Sequence, residues 1–162
     1  MRTEIGAEDF KQLIGRFATG VAIVTVRDGE GRNHGMTASS IASVSLDPPL
    51  ISVCVERTTE FHAFMQDAET FGISILAAEQ RHISEHFAAA GVDRFANITL
   101  VARGDGADGP TFIDGAVAHL ECSVWNSFEA GDHTVFLGLV LAGVARDGKP
   151  LLHYLGEYTS ID

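Results

Sequence analysis

Residues 35–40 form a segment in which every residue except Met36 is small or carries a hydroxyl group, and apolar stretches lie on both sides of it. The segment reads Gly35-Met-Thr-Ala-Ser-Ser40. Glycine, alanine and serine let a ligand approach the backbone closely, whereas bulky side chains would prevent it. The segment therefore fits a wall against which a flat, heteroatom-rich ring lies. It fits equally well a strand edge with serine and threonine turns.

A second polar group, Arg57-Thr58-Thr59, follows an apolar strand and precedes a helical segment. The first turn of a helix has unpaired N–H groups and partial positive charge, so it attracts anions such as phosphate. A guanidinium and two hydroxyls would add further donors. The alternative is an ordinary threonine N-cap beside a surface arginine.

A histidine, His133, stands between Gly131-Asp132 and the long apolar strand that begins at Thr134. A lone histidine in such a place is usually structural or exposed. We include His133 as a candidate only because the same chain also contains the two polar segments.

Two further motifs have chemical spacings but lack the context that the chemistry requires. Residues 104–109 spell GxGxxG, but Pro110 and a strand-like segment follow where a dinucleotide loop needs a helix, so we interpret them as a loop. Residues 82–86 spell HxxEH, but no third zinc ligand is recognisable, so we interpret them as a solvated helix face and predict no metal. Ser39 and Ser40 lack the GxSxG context of a nucleophile.

The bulk properties favour one globular domain over residues 1–162. The chain is 46% apolar and 20% charged, and its formal charge of −11 argues against nucleic acid and anionic membrane as partners. No apolar run reaches the ~20 residues of a membrane helix, and the N-terminal residues do not resemble a signal peptide. Cys54 and Cys122 have no CxxC spacing. We therefore expect a cytoplasmic protein with reduced thiols.

The elements that must position these residues are read from apolar periodicity. Three helices are expected at residues 7–18, 60–67 and 79–89, and Phe10, Leu13, Ile14 and Phe17 share one face of the first. Residues 50–55 are nearly all apolar and are predicted to be a strand buried on both faces. Further strands are expected at residues 21–26, 71–76, 117–125, 134–146 and 151–154, and before the bend at residues 47–49. Strand–helix–strand alternation is rare, which favours an antiparallel barrel with helices outside it.

In order along the chain, several segments resemble the short-chain flavin reductase family, whose members serve as reductase components of two-component flavin monooxygenases. The resemblance runs from about residue 17 to residue 158. It is carried by residues 17–25 (FATGVAIVT), 35–40 (GMTASS), 43–50 (SVSLDPPL), 71–76 (FGISIL), 131–138 (GDHTVFLG) and 150–154 (PLLHY). Each segment is short, but their common order over nearly the whole chain makes the resemblance specific.

The resemblance implies a mainly β fold with peripheral helices, an antiparallel, Greek-key-like split β-barrel of the FMN-binding type. It implies a homodimer that transfers hydride from NADH or NADPH to FMN or FAD, with reduced flavin diffusing to a separate monooxygenase. By the same resemblance, the isoalloxazine would be lined by Thr37, Ala38, Ser39 and Ser40, and beneath the flavin would lie Ser52, Val53 and Cys54. The phosphate would be held by Arg57, Thr58 and Thr59, and the pocket would be bordered by Arg94 and Phe95. His133 would be the catalytic candidate on the nicotinamide side.

This chain departs from the family pattern at Glu56, where an asparagine is usual, and at Phe61, where a small hydroxyl residue is usual. A carboxylate beside a phosphate is unfavourable unless Arg57 neutralises it or it points away, so the choice between FMN and FAD stays open. Hydride transfer between the cofactors needs no protein acid, base or nucleophile. His133 is therefore expected to position the nicotinamide or to stabilise the charge of the reduced flavin, and the flavin is expected to behave as a substrate.

Two alternatives remain at this stage. One is a flavin-binding electron carrier or redox sensor without nicotinamide turnover. The other is a structural or metal-dependent role resting on His82 and His86.

Overall fold

Three α-helices lie in the part of the chain described by this computed structural model, residues 4–102 and 109–161. They are α1 (Ala7–Ile14), α2 (Glu60–Asp67) and α3 (Arg81–Ala88), the last preceded by a 3-10 turn, Ala78–Gln80. The first helix ends at Ile14, four residues earlier than predicted, because Gly15 follows and glycine is a poor helix former.

Twelve strands are present within the same residues, and all their pairings are antiparallel. They are β1 (Thr19–Gly20), β2 (Ala22–Arg27), β3 (Asn33–Ala38), β4 (Ala42–Leu46), β5 (Pro49–Glu56), β6 (Thr70–Ile75), β7 (Leu100–Ala102), β8 (Thr111–Ile113), β9 (Ala118–Ala130), β10 (His133–Ala145), β11 (Leu151–Tyr154) and β12 (Glu157–Ser160). The mainly β, antiparallel prediction is confirmed. Among the strands that the sequence missed, β1, β7 and β12 have two to four residues, too few to show a period of their own. The single strand expected before the bend at residues 47–49 is two strands, β3 and β4.

Seven strands form the main sheet, in the order β3-β2-β6-β9-β10-β5-β4. Its two edges, β3 and β4, are consecutive in the chain, yet no pairing joins them among the described residues. The sheet is therefore a barrel with an open seam between these two strands, and the residues that connect them lie at that seam.

Two apolar cores hold the sheet in shape. The larger one lies inside the sheet and includes Val53, Phe71 and Phe136, all at most 1% exposed. The smaller one packs the sheet against α3 and includes Ile23 and Phe87. Together they fix the strands that surround the seam.

The prediction that residues 50–55 are buried on both faces is wrong. Ile51, Val53 and Val55 are buried, whereas Ser52 and Cys54 between them are only partly covered. The strand has one face on the core, and no other part of the described chain covers its second face fully.

The apolar face of α1 is also uncovered. Phe10 is 55% and Leu13 is 62% exposed, and α1 contributes no buried residue. Separately, no helix in the described ranges is long and apolar enough to cross a membrane.

Candidate functional site

A cavity of about 370 Å³ opens at the seam of the barrel. The end of β3 and the residues after it form one wall, β5 and the start of β10 form the opposite wall, and α2 and α3 close the sides. Its lining residues are Met36, Thr37, Ala38, Ser39, Ser40, Cys54, Glu56, Thr59, Glu60, Phe61, Phe87, Ala88, Arg94 and His133. Most residues that the sequence singled out therefore come together here, although they are far apart in the chain. We call this space the ring cavity.

Two of the wall hydroxyls are held by the protein itself. The hydroxyl of Thr37 donates to the Ser84 carbonyl of α3 at 2.8 Å. The hydroxyl of Ser40 donates to the Cys54 carbonyl at 3.0 Å and accepts from the Cys54 N–H at 3.2 Å. These bonds fix the wall to α3 on one side and to β5 on the other.

The remaining donors of this wall are available to a ligand. Ser39 is exposed, and within the described residues its hydroxyl has no hydrogen-bond partner. As an edge strand, β3 also leaves alternate backbone N–H and C=O groups unpaired on its outer side. Ala38 and Ser39 are small, so a flat ligand can reach these groups.

His133 stands on the opposite wall. It is paired in register with Glu56, so both side chains lie on the same side of the sheet, and both line the ring cavity. The Nδ1 atom of His133 is 2.7 Å from Oδ1 of Asp132, and this hydrogen bond is the main reason that the pKa of the Asp132 carboxyl is lowered. The pair engages Nδ1 of His133, and no hydrogen bond within the described residues engages its Nε2 atom.

Arg94 and Phe95 follow α3 and occupy adjoining places. Arg94 Nε donates to the Phe87 carbonyl at 3.0 Å, and Arg94 lines the ring cavity. Phe95 packs edge-to-face on Phe87, with ring centroids 5.1 Å apart, and lines a neighbouring cavity of about 170 Å³. Arg94 therefore lines the ring cavity itself, whereas Phe95 lines only the cavity beside it.

The three residues predicted to hold the phosphate lie in two different places. Thr59 lines the ring cavity and caps α2, its hydroxyl accepting from the His62 N–H at 3.3 Å. Arg57 and Thr58 instead line a separate groove, where Arg57 forms an ion pair with Glu129 at 3.1 Å. The division arises because the Arg57 backbone N–H bonds to the carbonyl of Asp132 in the β9–β10 turn, which holds Arg57 beside that turn.

Ser52 and Val53 lie further along β5 and do not line the ring cavity. Val53 is fully buried in the core below it, and Ser52 lies beside β4, with its hydroxyl bonded to the Ala42 carbonyl. They support the wall from beneath rather than forming its surface.

Other lining residues were not singled out as ligand contacts. Glu60 and Phe61 directly follow Thr59, so the start of the predicted helix was a usable signal for them. Met36 lies within the 35–40 segment, which was the signal for it. Phe87 and Ala88 carry no such signal, because only the packing of α3 against β3 brings them here.

The two motifs set aside earlier lie elsewhere. Residues 104–108 of the GxGxxG segment are outside the described residues, and the strand expected after Pro110 is present as β8. His82 is exposed, His86 Nε2 bonds to the Asp93 carbonyl at 2.9 Å, and no group of three metal-ligating side chains forms within the described ranges.

The fold and the ring cavity together define a class: an antiparallel split barrel with a small-molecule cavity at its seam. Residues 14–162 match the model of the flavin reductase like domain. An NADH-dependent flavin reductase from a Rhodococcus species is 39% identical, over 98% of this chain and 89% of its own length. The reductase component of a 4-nitrophenol 4-monooxygenase/4-nitrocatechol 2-monooxygenase from Rhodococcus opacus is 34% identical, over 93% of this chain and 78% of its own length.

Solved structures lead to the same family. An NADH:FAD oxidoreductase of Streptomyces globisporus C-1027, in complex with NAD and FAD fragments, superimposes with a TM-score of 0.88 at 36% identity, covering 99% of this chain and 98% of that one. The chain therefore belongs to the flavin reductase family. The predicted family, its split-barrel fold and the enzyme class of flavin reductase are confirmed.

Proposed function

We propose that this protein binds the isoalloxazine ring of FMN or FAD in the ring cavity and catalyses hydride transfer to it from NADH. The observation that carries the proposal is the wall of residues 37–40, which presents small side chains and free donors at the unpaired edge of β3. His133 faces this wall from β10.

The residues present fit a flavin. The volume of about 370 Å³ falls within the ~300–1,000 Å³ usual for small-molecule sites. Backbone N–H groups and the Ser39 hydroxyl can donate to the oxygen and nitrogen acceptors along one edge of the ring. The partly covered Cys54 side chain supplies apolar surface for the ring, and the buried side chains of Phe61 and Phe87 lie behind the lining.

When bound, the flavin and the nicotinamide supply the redox chemistry, so the protein has to bind, orient and exclude water. Ser40 keeps the wall rigid through its two bonds to Cys54. His133 lines the cavity with its Nδ1 atom bonded to Asp132, and its Nε2 atom would orient the nicotinamide there.

NADH is the proposed donor, because the surroundings of the cavity are acidic. Glu60 lines both the ring cavity and the neighbouring 170 Å³ cavity, and Asp93 lines the latter. These carboxylates and the net charge of −11 disfavour the additional phosphate of NADPH. The names of the related enzymes, NADH-dependent flavin reductase and NADH:FAD oxidoreductase, agree with this choice.

The active form is proposed to be a homodimer. On the outer face of the sheet, Val135 is paired with Cys54 of the ring cavity and with Phe128, which is 51% exposed. The uncovered apolar face is therefore continuous with the cavity. A second copy laid on this face would bury it and complete the cavity wall.

The reduced flavin is proposed to leave and serve a separate monooxygenase. A relative that covers most of this chain is the reductase component of such a system. Both cysteines are free, which agrees with the predicted cytoplasmic location.

A steady-state assay with all four donor and flavin combinations tests the proposal. We expect NADH oxidation only when free FMN or FAD is present, with NADPH the poorer donor. Flavin binding without NADH oxidation would indicate the electron-carrier alternative. Absence of flavin binding would contradict the proposal altogether.

A further inference from the structure

Two carboxylates, Glu56 and Glu60, face the ring cavity from β5 and from the first turn of α2. Among the described lining residues, Arg94 is the only arginine or lysine. His133, the one other basic group of the lining, is already paired with Asp132. The walls therefore offer an anion at least as much negative as positive charge.

The donors on the residues that follow Glu56 already have partners within the protein. Two of the three form hydrogen bonds with Glu56 itself. The Thr58 hydroxyl donates to Glu56 Oε1 at 2.9 Å, and the Thr59 hydroxyl donates to the Glu56 carbonyl at 2.8 Å. Arg57 is paired with Glu129 in the separate groove. A phosphate at this end of the cavity would meet the Glu56 carboxylate before it met a free hydroxyl or guanidinium.

A flavin ring and its phosphate make different demands on such a cavity. The uncharged ring needs close approach and donors, which the wall of residues 37–40 provides. A phosphate monoester carries a charge of about −1.5 to −2 at neutral pH. Like charges a few ångströms apart repel, although solvent screens the repulsion at an exposed carboxylate such as Glu56.

We propose that Glu56 is a specificity-determining residue that cancels the contribution of the phosphate to flavin binding, so that the protein accepts flavins by their ring and binds riboflavin about as tightly as FMN. The inference rests on the proposed function, because it takes the ring cavity as the flavin site. It extends the accepted substrates to a flavin without phosphate.

The test compares dissociation constants for FMN and riboflavin, measured by fluorescence titration of the full chain. Glu56→Gln keeps the size of the side chain and an acceptor for Thr58 while removing its charge. Glu79→Gln removes the same charge from an exposed residue outside the ring cavity, and so controls for net charge. Thermal unfolding of each variant checks that the fold is kept.

We expect equal affinities for the two flavins in the unaltered protein. In Glu56→Gln we expect FMN to bind about fivefold more tightly while riboflavin is unchanged, the size expected for one screened like-charge contact. Glu79→Gln should leave the affinity ratio as it was. High salt should reduce the difference between Glu56→Gln and the unaltered protein, because it screens the repulsion.

An unchanged affinity ratio in Glu56→Gln, or an equal shift for both flavins, would overturn the inference and leave the proposed function standing. Much tighter binding of FMN than of riboflavin by the unaltered protein would also overturn it. If the unaltered protein bound neither flavin, the proposed function itself would fall, and the inference with it.

Discussion

At the scale of single residues, the ring cavity combines side chains that are fixed by the protein with side chains left free for a ligand. Thr37 and Ser40 are fixed, and Ser39 is free among the described residues. His133 belongs to both groups, since Asp132 engages its Nδ1 atom and no hydrogen bond within the described residues engages its Nε2 atom. Such preorganisation is what a hydride-transfer enzyme needs when its cofactors supply the reactivity.

Replacement of His133 by alanine tests its positioning role. We expect the KM for NADH to rise about tenfold, the size of one lost hydrogen bond, with a smaller change in kcat. Steady-state kinetics at saturating flavin measure both. Asp132→Asn serves as a milder companion, because it keeps a hydrogen-bond acceptor for His133. Unchanged constants in His133→Ala would remove this residue from the mechanism.

The two cysteines give a second residue-scale prediction. Burial raises the pKa of the Cys122 thiol to about 12 and also raises that of Cys54, but only Cys54 lines the ring cavity. In the folded protein a thiol reagent should therefore modify Cys54 and spare Cys122.

Saturating FMN should slow the modification of Cys54, since the ring would cover it. Timed thiol counting measures this, and Cys54→Ser, which should show no reactive thiol until it unfolds, is the control. Failure of FMN to protect Cys54 would be inconsistent with a flavin over this strand.

At the scale of elements, the position of the cavity wall that contains His133 depends on the packing of the long strands β9 and β10. Gly138 of β10 packs against Phe71 and Cys122, and a Cβ atom there would lie 2.8 Å from Phe71 Cε1 and 3.0 Å from Cys122 Cβ. Both neighbours are fully buried, so neither can move aside cheaply.

Gly138→Ala should therefore reduce the free energy of unfolding by about 1–3 kcal/mol, the usual cost of overpacking a core. Denaturant titration measures the loss. Gly20→Ala, where no atom lies within 4 Å of the added Cβ, is the matched control. Similar unfolding midpoints for the two variants would show that Phe71 and Cys122 can move to make room for the added methyl group.

The elements also show what the sequence can predict. Strands such as β2 and β6 follow from their apolar runs, and α2 follows from its threonine cap and periodicity. The meeting of β3, β5 and β10 at one cavity followed only from the family resemblance, because strand pairing brings together residues far apart in the chain. The ion pair of Arg57 with Glu129 depends on a turn some seventy residues further along the chain. The sequence around Arg57 therefore could not predict it.

At the scale of the whole molecule, the main feature is apolar surface that remains exposed to solvent in a single chain. They include the outer face of β5, β9 and β10 and the apolar face of α1. Contiguous exposed apolar surface of this kind marks an interaction site.

Phe128→Glu tests the proposed homodimer, because it places a charge on the uncovered sheet face, beside the strand that lines the ring cavity. The side chain is half exposed in one chain, so the fold should survive while the dimer dissociates. Light scattering after gel filtration should then give a mass near the 17.3 kDa of one chain, against twice that for the unaltered protein. Thr159→Glu, on an exposed strand, should remain dimeric, and a monomeric unaltered protein would refute the assembly.

The continuity between the ring cavity and the bare sheet face has a kinetic consequence. If each chain completes the binding wall of its neighbour, then an isolated chain is a poor catalyst. Turnover per chain will decline when the enzyme is diluted below the dissociation constant of the dimer. Rate plotted against enzyme concentration would then curve upward at low concentration instead of following a straight line through the origin.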